Sequence, residues 1–174
     1  MDVHVRPALE RDLEAIQRIY NHEILTGTAT WDLEPWPDEQ RREWLAEHAA
    51  DPSIPVIVAE VGGAEGGVAG FAYLSIYRAK LGYRYTRETS VYVDQRFHRG
   101  GVGRALMEVQ LASARALGLH ALMAVIEAEN APSIALHAGL GFERVALKRE
   151  VGRKFGRWLD SVEMELLLPL EPRD

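Results

Sequence analysis

The run Arg99-Gly100-Gly101-Val102-Gly103-Arg104 is where this chain's residue types and spacing point most directly to chemistry. Upstream, Ser90-Val91-Tyr92-Val93 is β-branched and aromatic, with Val91 and Val93 on one face of an expected strand. Downstream, Val102, Leu106 and Val109 share one face of an expected helix, which should stop at Gly118 as its C′ glycine. A glycine turn feeding a helix N-terminus aims free N–H groups and the positive end of the helix dipole into one space, which suits a phosphate. Arg99 and Arg104 add positive charge. A flexible turn before a surface helix has the same spacing, so spacing alone leaves both readings open. No Gly-Lys-Ser/Thr follows, as a P-loop requires. The third glycine of a dinucleotide fingerprint would stand where Leu106 is. Nucleotide hydrolysis and hydride transfer therefore lose support.

The elements that must position this turn can be read from the apolar pattern. Val3 to Arg6 reads as a strand that Pro7 ends. Leu13, Ile16, Ile19, Tyr20 and Ile24 give one helical face. A loop with Trp31 and Trp36 leads to Asp38, an expected cap for a helix to about Ala50. Two strands, Pro55 to Val61 and Gly67 to Tyr77, are joined through the glycine-rich stretch 62–66 as a hairpin. Glu88 to Asp94 is the next strand, followed by the turn and its helix, then a buried strand from His120 to Ile126. Asn130 to Leu140 is a short helix with Pro132 in its first turn. Phe142 to Glu150 and Trp158 to Leu168 are two last strands. This order implies one mixed sheet flanked by helices, an α+β (mixed α/β) fold.

Composition bounds the function. With 174 residues, 47% of them hydrophobic and 26% charged, the chain reads as one soluble domain over 1–174, its core at about 3–168 and a short tail at 169–174. The absence of cysteine excludes disulfides, thiolate metal sites and a cysteine acyl-enzyme, and fits a cytoplasmic protein. A net charge of −6 disfavours a general nucleic-acid binder. No apolar run is long enough to span a membrane, and the first residues carry no apolar signal region. The six histidines show no paired metal-ligand spacing, so no metal is expected. Two basic runs, Arg78 to Arg87 and Lys148 to Arg157, are either solvated faces or the walls of a cleft for an anion.

Three features coincide: the strand ending in Val91-Tyr92-Val93, the Gly101-Val102-Gly103 turn, and the Asn130 … Ser133 … Leu136-His137 … Gly141-Phe142 helix. Together they resemble the GCN5-related N-acetyltransferase superfamily over nearly the whole chain. Ile19-Tyr20-Asn21, Thr28-Ala29-Thr30-Trp31, Arg78-Ala79-Lys80, Thr86 to Val93 and Gly152 to Asp160 resemble its phosphinothricin and methionine sulfoximine branch. His137 stands where many members of the superfamily have tyrosine and this branch has histidine. His98 stands where the superfamily turn usually has Gln or Arg.

The resemblance implies a fold with a central, largely antiparallel mixed sheet flanked by about four helices, and acetyl-CoA as cosubstrate. Its pyrophosphate would sit on the Arg99, Gly100, Gly101, Val102, Gly103 and Arg104 turn, and its pantetheine along Val91, Tyr92 and Val93. Asn130 and Ser133 would join that site, although Asn130 is equally well placed to cap its own helix. Glu88 would be the general base, against the plainer reading of a salt bridge to Arg78, Arg84 or Arg87. His137 would be a second base, the acid that protonates the thiolate, or an orienting residue. Arg78, Ala79, Lys80, Tyr83, Glu88, Thr89, Ser90 and Trp31 would hold a small amino-acid-like amine, and the branch implies a homodimer. Direct transfer is expected, because no cysteine and no Gly-x-Ser-x-Gly elbow is present. A protein or peptide N-terminal acetyltransferase and a non-catalytic CoA sensor are the rival readings.

Overall fold

Residues 2–62 and 66–169 are described by this computed structural model. The strands are β1 (Val3–Pro7), β2 (Val56–Val61), β3 (Gly67–Ile76), β4 (Thr86–Val93), β5 (Ala121–Glu127), β6 (Glu143–Lys154) and β7 (Arg157–Leu167). The helices are α1 (Leu13–Thr26), α2 (Asp38–Ala50), α3 (Val102–Ala116) and α4 (Ala131–Ala138). The strands form one sheet in the order β1-β2-β3-β4-β5-β7-β6. Only β4 and β5 run parallel; the other neighbours are antiparallel. The mixed sheet and four helices match the expected class. Of the expected hairpin at 62–66, residues 63–65 lie outside the described residues, as do 170–174 of the tail.

Strand alternation divides the core into two layers. Val58 and Phe71 face α1, where Ile16, Ile19, Tyr20 and Ile24 meet them. Ile57, Ala59 and Ala72 face the other way, onto Val102 and Leu106 of α3. Leu122, Ala124 and Ile126 continue that second layer with Met107, Leu111 and the α4 residues Ile134 and Leu136. So α1 and α2 cover one face of the sheet, and α3 and α4 the other. Helix α3 ends as expected, with Gly118 at φ 68°.

Two expectations need correction. Asp38 does not cap α2: Pro37 is the N-cap, and the Asp38 carboxylate instead accepts from Gln17 Nε2 at 2.8 Å, tying α2 to α1. The final hairpin is longer than expected. β6 reaches Lys154, and only Phe155 (φ 51°) and Gly156 (φ 77°) turn the chain into β7. The basic run hid the strand, because its side chains are used structurally or solvated rather than alternating with apolar ones. Lys148 pairs with Glu163, Arg157 with Glu129 at 2.9 Å, and Arg153 lies over the Trp158 ring. The Arg78–Arg87 run resolves similarly at its end, where buried Arg87 donates to Ser53 and to backbone carbonyls.

Arg41 is fully buried on α2, its guanidinium over Tyr20 at 4.4 Å, Trp36 at 4.1 Å and Trp44 at 5.0 Å. The join between β4 and α3 is fixed by Asp94, which accepts from Arg18 at 2.5 Å, from Arg96 at 2.8 Å, and from the Arg96 backbone N–H at 3.0 Å. Those bonds hold its carboxyl far below the usual aspartate range. A lowered carboxyl pKa contributes stability above the unfolded-state value, lost as pH falls toward the folded one. Asp94→Asn should therefore cost about 1–3 kcal/mol at pH 7, and urea unfolding at pH 3 should show a smaller gap between variant and wild type.

Candidate active site

β4 and β5 pair only over Thr86–Glu88 and Ala121–Met123. Beyond that point they part, while each keeps its partner on the other side, β3 and β7. The parting leaves backbone groups without a ladder. Asp94 donates its N–H to Ala69 of β3 at 2.8 Å, so by alternation Val91 and Val93 turn theirs toward the gap. His98 hydrogen-bonds the Val93 carbonyl through Nε2 at 3.0 Å, which closes the far end of that edge. An extended ligand bearing amides can add along Val91. The gap opens into a cleft of about 950 Å³.

The N-terminus of α3 stands at the mouth of this cleft. Its first intrahelical bond is Ala105 N–H to Gly101 O at 3.0 Å, so the N–H groups of Val102, Gly103 and Arg104 have no helical partner. Gly101 takes φ 83°, the left-handed region that glycine enters without strain. At Gly103 a Cβ would lie 3.2 Å from Leu136 of α4 and 3.5 Å from Val93, so a glycine lets α3, α4 and β4 converge here. Arg99 lines the mouth without an ion pair among the described residues, whereas Arg104 lines it and also pairs with Glu108 at 2.9 Å. Gly100 is in the turn but outside the lining.

The opposite wall comes from α4. Asn130 caps this helix by accepting the Ser133 N–H at 3.2 Å, and it also lines the cleft. His137 is buried, with Nδ1 against the Ser133 carbonyl at 2.9 Å and Nε2 buried without a partner. A carbonyl accepts only, so Nδ1 carries the proton and Nε2 offers a lone pair. Burial pulls its pKa below the ordinary histidine value, against a smaller opposing effect of the Ser133 bond. The ring is therefore neutral at pH 7.

Glu88, Ser90 and Tyr92 face α1 and α2. β5 neighbours in register share their face, so Met123, Val125 and Glu127 lie on the same side. Glu88 and His137 thus stand on opposite faces of the sheet, with the gap between them. Glu88 is half-buried beside the Glu163–Lys148 pair; burial first and Glu163 second push its carboxyl pKa up, while Lys148 opposes them. It does not line the cleft itself.

Other expected substrate residues are spread out. Thr89 turns to the α3 side, where its hydroxyl donates to Gln110 at 2.5 Å, so its side chain is not on the acceptor face. Arg78 does not sit on a strand with Lys80, because β3 ends at Ile76. Its exposed guanidinium lies between the Tyr77 and Tyr83 rings, at 5.0 and 5.3 Å. Ala79 and Lys80 are exposed in the same connection. Trp31 packs on β6, where a side chain at Gly152 would strike its ring. Arg78, Ala79, Lys80, Tyr83 and Trp31 all lie outside the lining of the cleft.

Glu127 was not singled out from the sequence. It ends the apolar run of β5, lines the cleft, and is buried with Thr28 Oγ1 at 3.2 Å and the Glu129 N–H at 3.1 Å on its carboxylate. A charged residue closing a buried strand was the available signal.

The profile of the acetyltransferase (GNAT) domain matches residues 5–162. The chain belongs to this family. An L-methionine sulfoximine/L-methionine sulfone acetyltransferase from Salmonella typhimurium is 40% identical over 164 residues, 94% of each chain. A phosphinothricin N-acetyltransferase from Streptomyces coelicolor is 39% identical, with 91% of this chain and 92% of that one aligned. A solved acetyltransferase structure from Salmonella typhimurium, with acetyl-CoA as its cofactor, superposes with a TM-score of 0.91 at 38% identity, covering 98% of this chain and 96% of that one.

The geometry at His137 makes a direct prediction. Nitrogen-15 NMR of the imidazole should show Nδ1 protonated and Nε2 bare at pH 7, with a titration midpoint below 6.5.

Proposed function

We propose that the protein transfers acetyl from acetyl-CoA directly to the α-amino group of a small amino-acid analogue of the methionine sulfoximine, methionine sulfone or phosphinothricin type. The parted β4–β5 edge with the α3 N-terminus at its mouth carries this reading. It offers strand-like partners for pantetheine amides at Val91 and Val93, and N–H groups at Val102, Gly103 and Arg104 for the pyrophosphate. The relatives named above supply the acceptor class.

In this reading the acceptor amine approaches from the α1–α2 face and loses a proton as its nitrogen bonds to the thioester carbon. The C–S bond then breaks, and the sulfur leaves as a thiolate that takes its proton from water. Glu88 takes the amine proton through water, since its carboxyl stands back from the cleft. Its raised pKa makes it a better base than an ordinary glutamate. Backbone N–H groups of β4 stabilise charge growing on the carbonyl oxygen. His137, neutral and on the other face, accepts a hydrogen bond at Nε2; it is not the acid that protonates the thiolate at pH 7. Arg78 and Lys80 bind the α-carboxylate once the Tyr77–Tyr83 box around Arg78 opens. A homodimer belongs to the same proposal: Val145, Leu147, Val151 and Trp158 are about half or more exposed on β6 and β7, an apolar face that a second copy would cover. A cytoplasmic location fits the cysteine-free chain.

CoA release from acetyl-CoA, measured with the three analogues, free amino acids and short peptides, tests the proposal. Saturable turnover of the analogues supports it; turnover of peptides alone moves the protein to the N-terminal acetyltransferases, and acetyl-CoA binding without turnover of any acceptor to a sensor. Gly103→Val should raise the KM for acetyl-CoA at least about tenfold, because its side chain wedges α3 from Leu136. The acid limb of kcat/KM should lie above the ordinary glutamate value, and Glu163→Gln should move it to lower pH. That substitution removes the negative charge that raises Glu88 and frees Lys148, which lowers it.

A further inference from the structure

The relatives divide the acceptors into two electrostatic kinds. Methionine sulfone and sulfoximine end in an uncharged tetrahedral sulfur group, whereas phosphinothricin ends in an anionic tetrahedral phosphinate. All three share the α-amino and α-carboxylate groups. We propose that Glu127 is a specificity-determining residue of this site, and that it makes the protein select acceptors with an uncharged head over those with an anionic one. This inference rests on the acceptor class proposed above.

Glu127 lies on the acceptor face of β5, in the wall of the cleft, and is 5% exposed. The groups bonded to its carboxylate, the Thr28 hydroxyl and the Glu129 N–H, are both neutral, so its charge is held in place without being cancelled. No cation pairs with it among the described residues. The nearby wall does not make up the deficit. Glu23 also lines it, accepting the Ala29 N–H at 2.8 Å. Arg18 on α1 is committed to Asp94. Lys154 is buried and turned to the backbone carbonyls of Thr30 at 2.8 Å and Glu23 at 3.4 Å. Arg78 and Lys80, in no ion pair among the described residues, lie at the other end of the strands, where β3 turns into β4, and serve one carboxylate. An acceptor spanning this face thus finds positive charge at one end and a fixed carboxylate at the other. A second anion on the ligand would face Glu127 at low dielectric, which is a strongly unfavourable pairing.

The test is the ratio of kcat/KM for methionine sulfone to that for phosphinothricin, in which their shared groups cancel. The wild type should favour the sulfone at least about tenfold. Glu127→Gln, nearly isosteric, should shrink the ratio about tenfold through the KM for phosphinothricin, leaving the KM for acetyl-CoA within about twofold. Thr28→Val removes a hydroxyl that screens the carboxylate and should widen the ratio, which keeps a second variant in play if the first folds poorly. A wild type that prefers phosphinothricin overturns the inference, and so does a ratio that a folded Glu127→Gln leaves unchanged. Turnover of neither compound, with peptides accepted instead, overturns the acceptor class on which the inference stands.

Discussion

The structure depends on one interruption of hydrogen bonding. Two parallel strands pair for three residues each and then separate, and the cleft is built around the backbone groups this exposes. An open parallel edge inside a sheet is stable only if something else holds the strands apart. Here β3 and β7 hold them from outside, and the glycine at 103 brings α3 and α4 together over one side of the gap. The salt-bridged Asp94 and the ring of His98 then fix the end of β4, so the edge is a shaped site rather than a frayed one.

The sheet separates the two halves of the chemistry. On the α3–α4 side the cleft is lined by helix N–H groups, Arg99 and a histidine kept uncharged by burial. On the α1–α2 face stand the carboxyls Glu88, Glu127 and Glu163. In the proposed reading the anionic cosubstrate and the basic acceptor therefore approach from opposite sides of one backbone layer. They meet only where that layer is open.

Much of this was legible in the sequence. The β4–α3 turn announced itself because glycines at fixed offsets between a strand pattern and a helix pattern have few uses, and Asn130 with Pro132 marked the start of α4. Glu88 could be placed on its face by simple alternation. What stayed hidden was whatever depends on neighbours distant in sequence. The Tyr77 and Tyr83 rings around Arg78 follow from the path of the chain after β3, which no local pattern fixes. Alternation already puts Thr89 on the face opposite Glu88 and Ser90, but its glutamine partner on α3 lies 21 residues away. The last hairpin was obscured by a run of charges whose partners, Glu129 and Glu163, lie on other elements. Glu127 gave only the faint signal of an acid ending an apolar run.

The arginine boxed by Tyr20, Trp36 and Trp44 has a consequence for how the enzyme's response to its surroundings should be read. Those ring faces hold the Arg41 guanidinium on α2 against α1, with no carboxylate in ion-pair contact with it among the described residues. Tyr20, part of that box, is pushed up by burial and ionises only in strong alkali. The arginine is therefore held by ring faces rather than by an exposed ion pair that salt would screen. Added salt therefore acts on the exposed ion pairs around this wall, such as Arg42 with Glu10, and leaves the ring-held arginine itself in place.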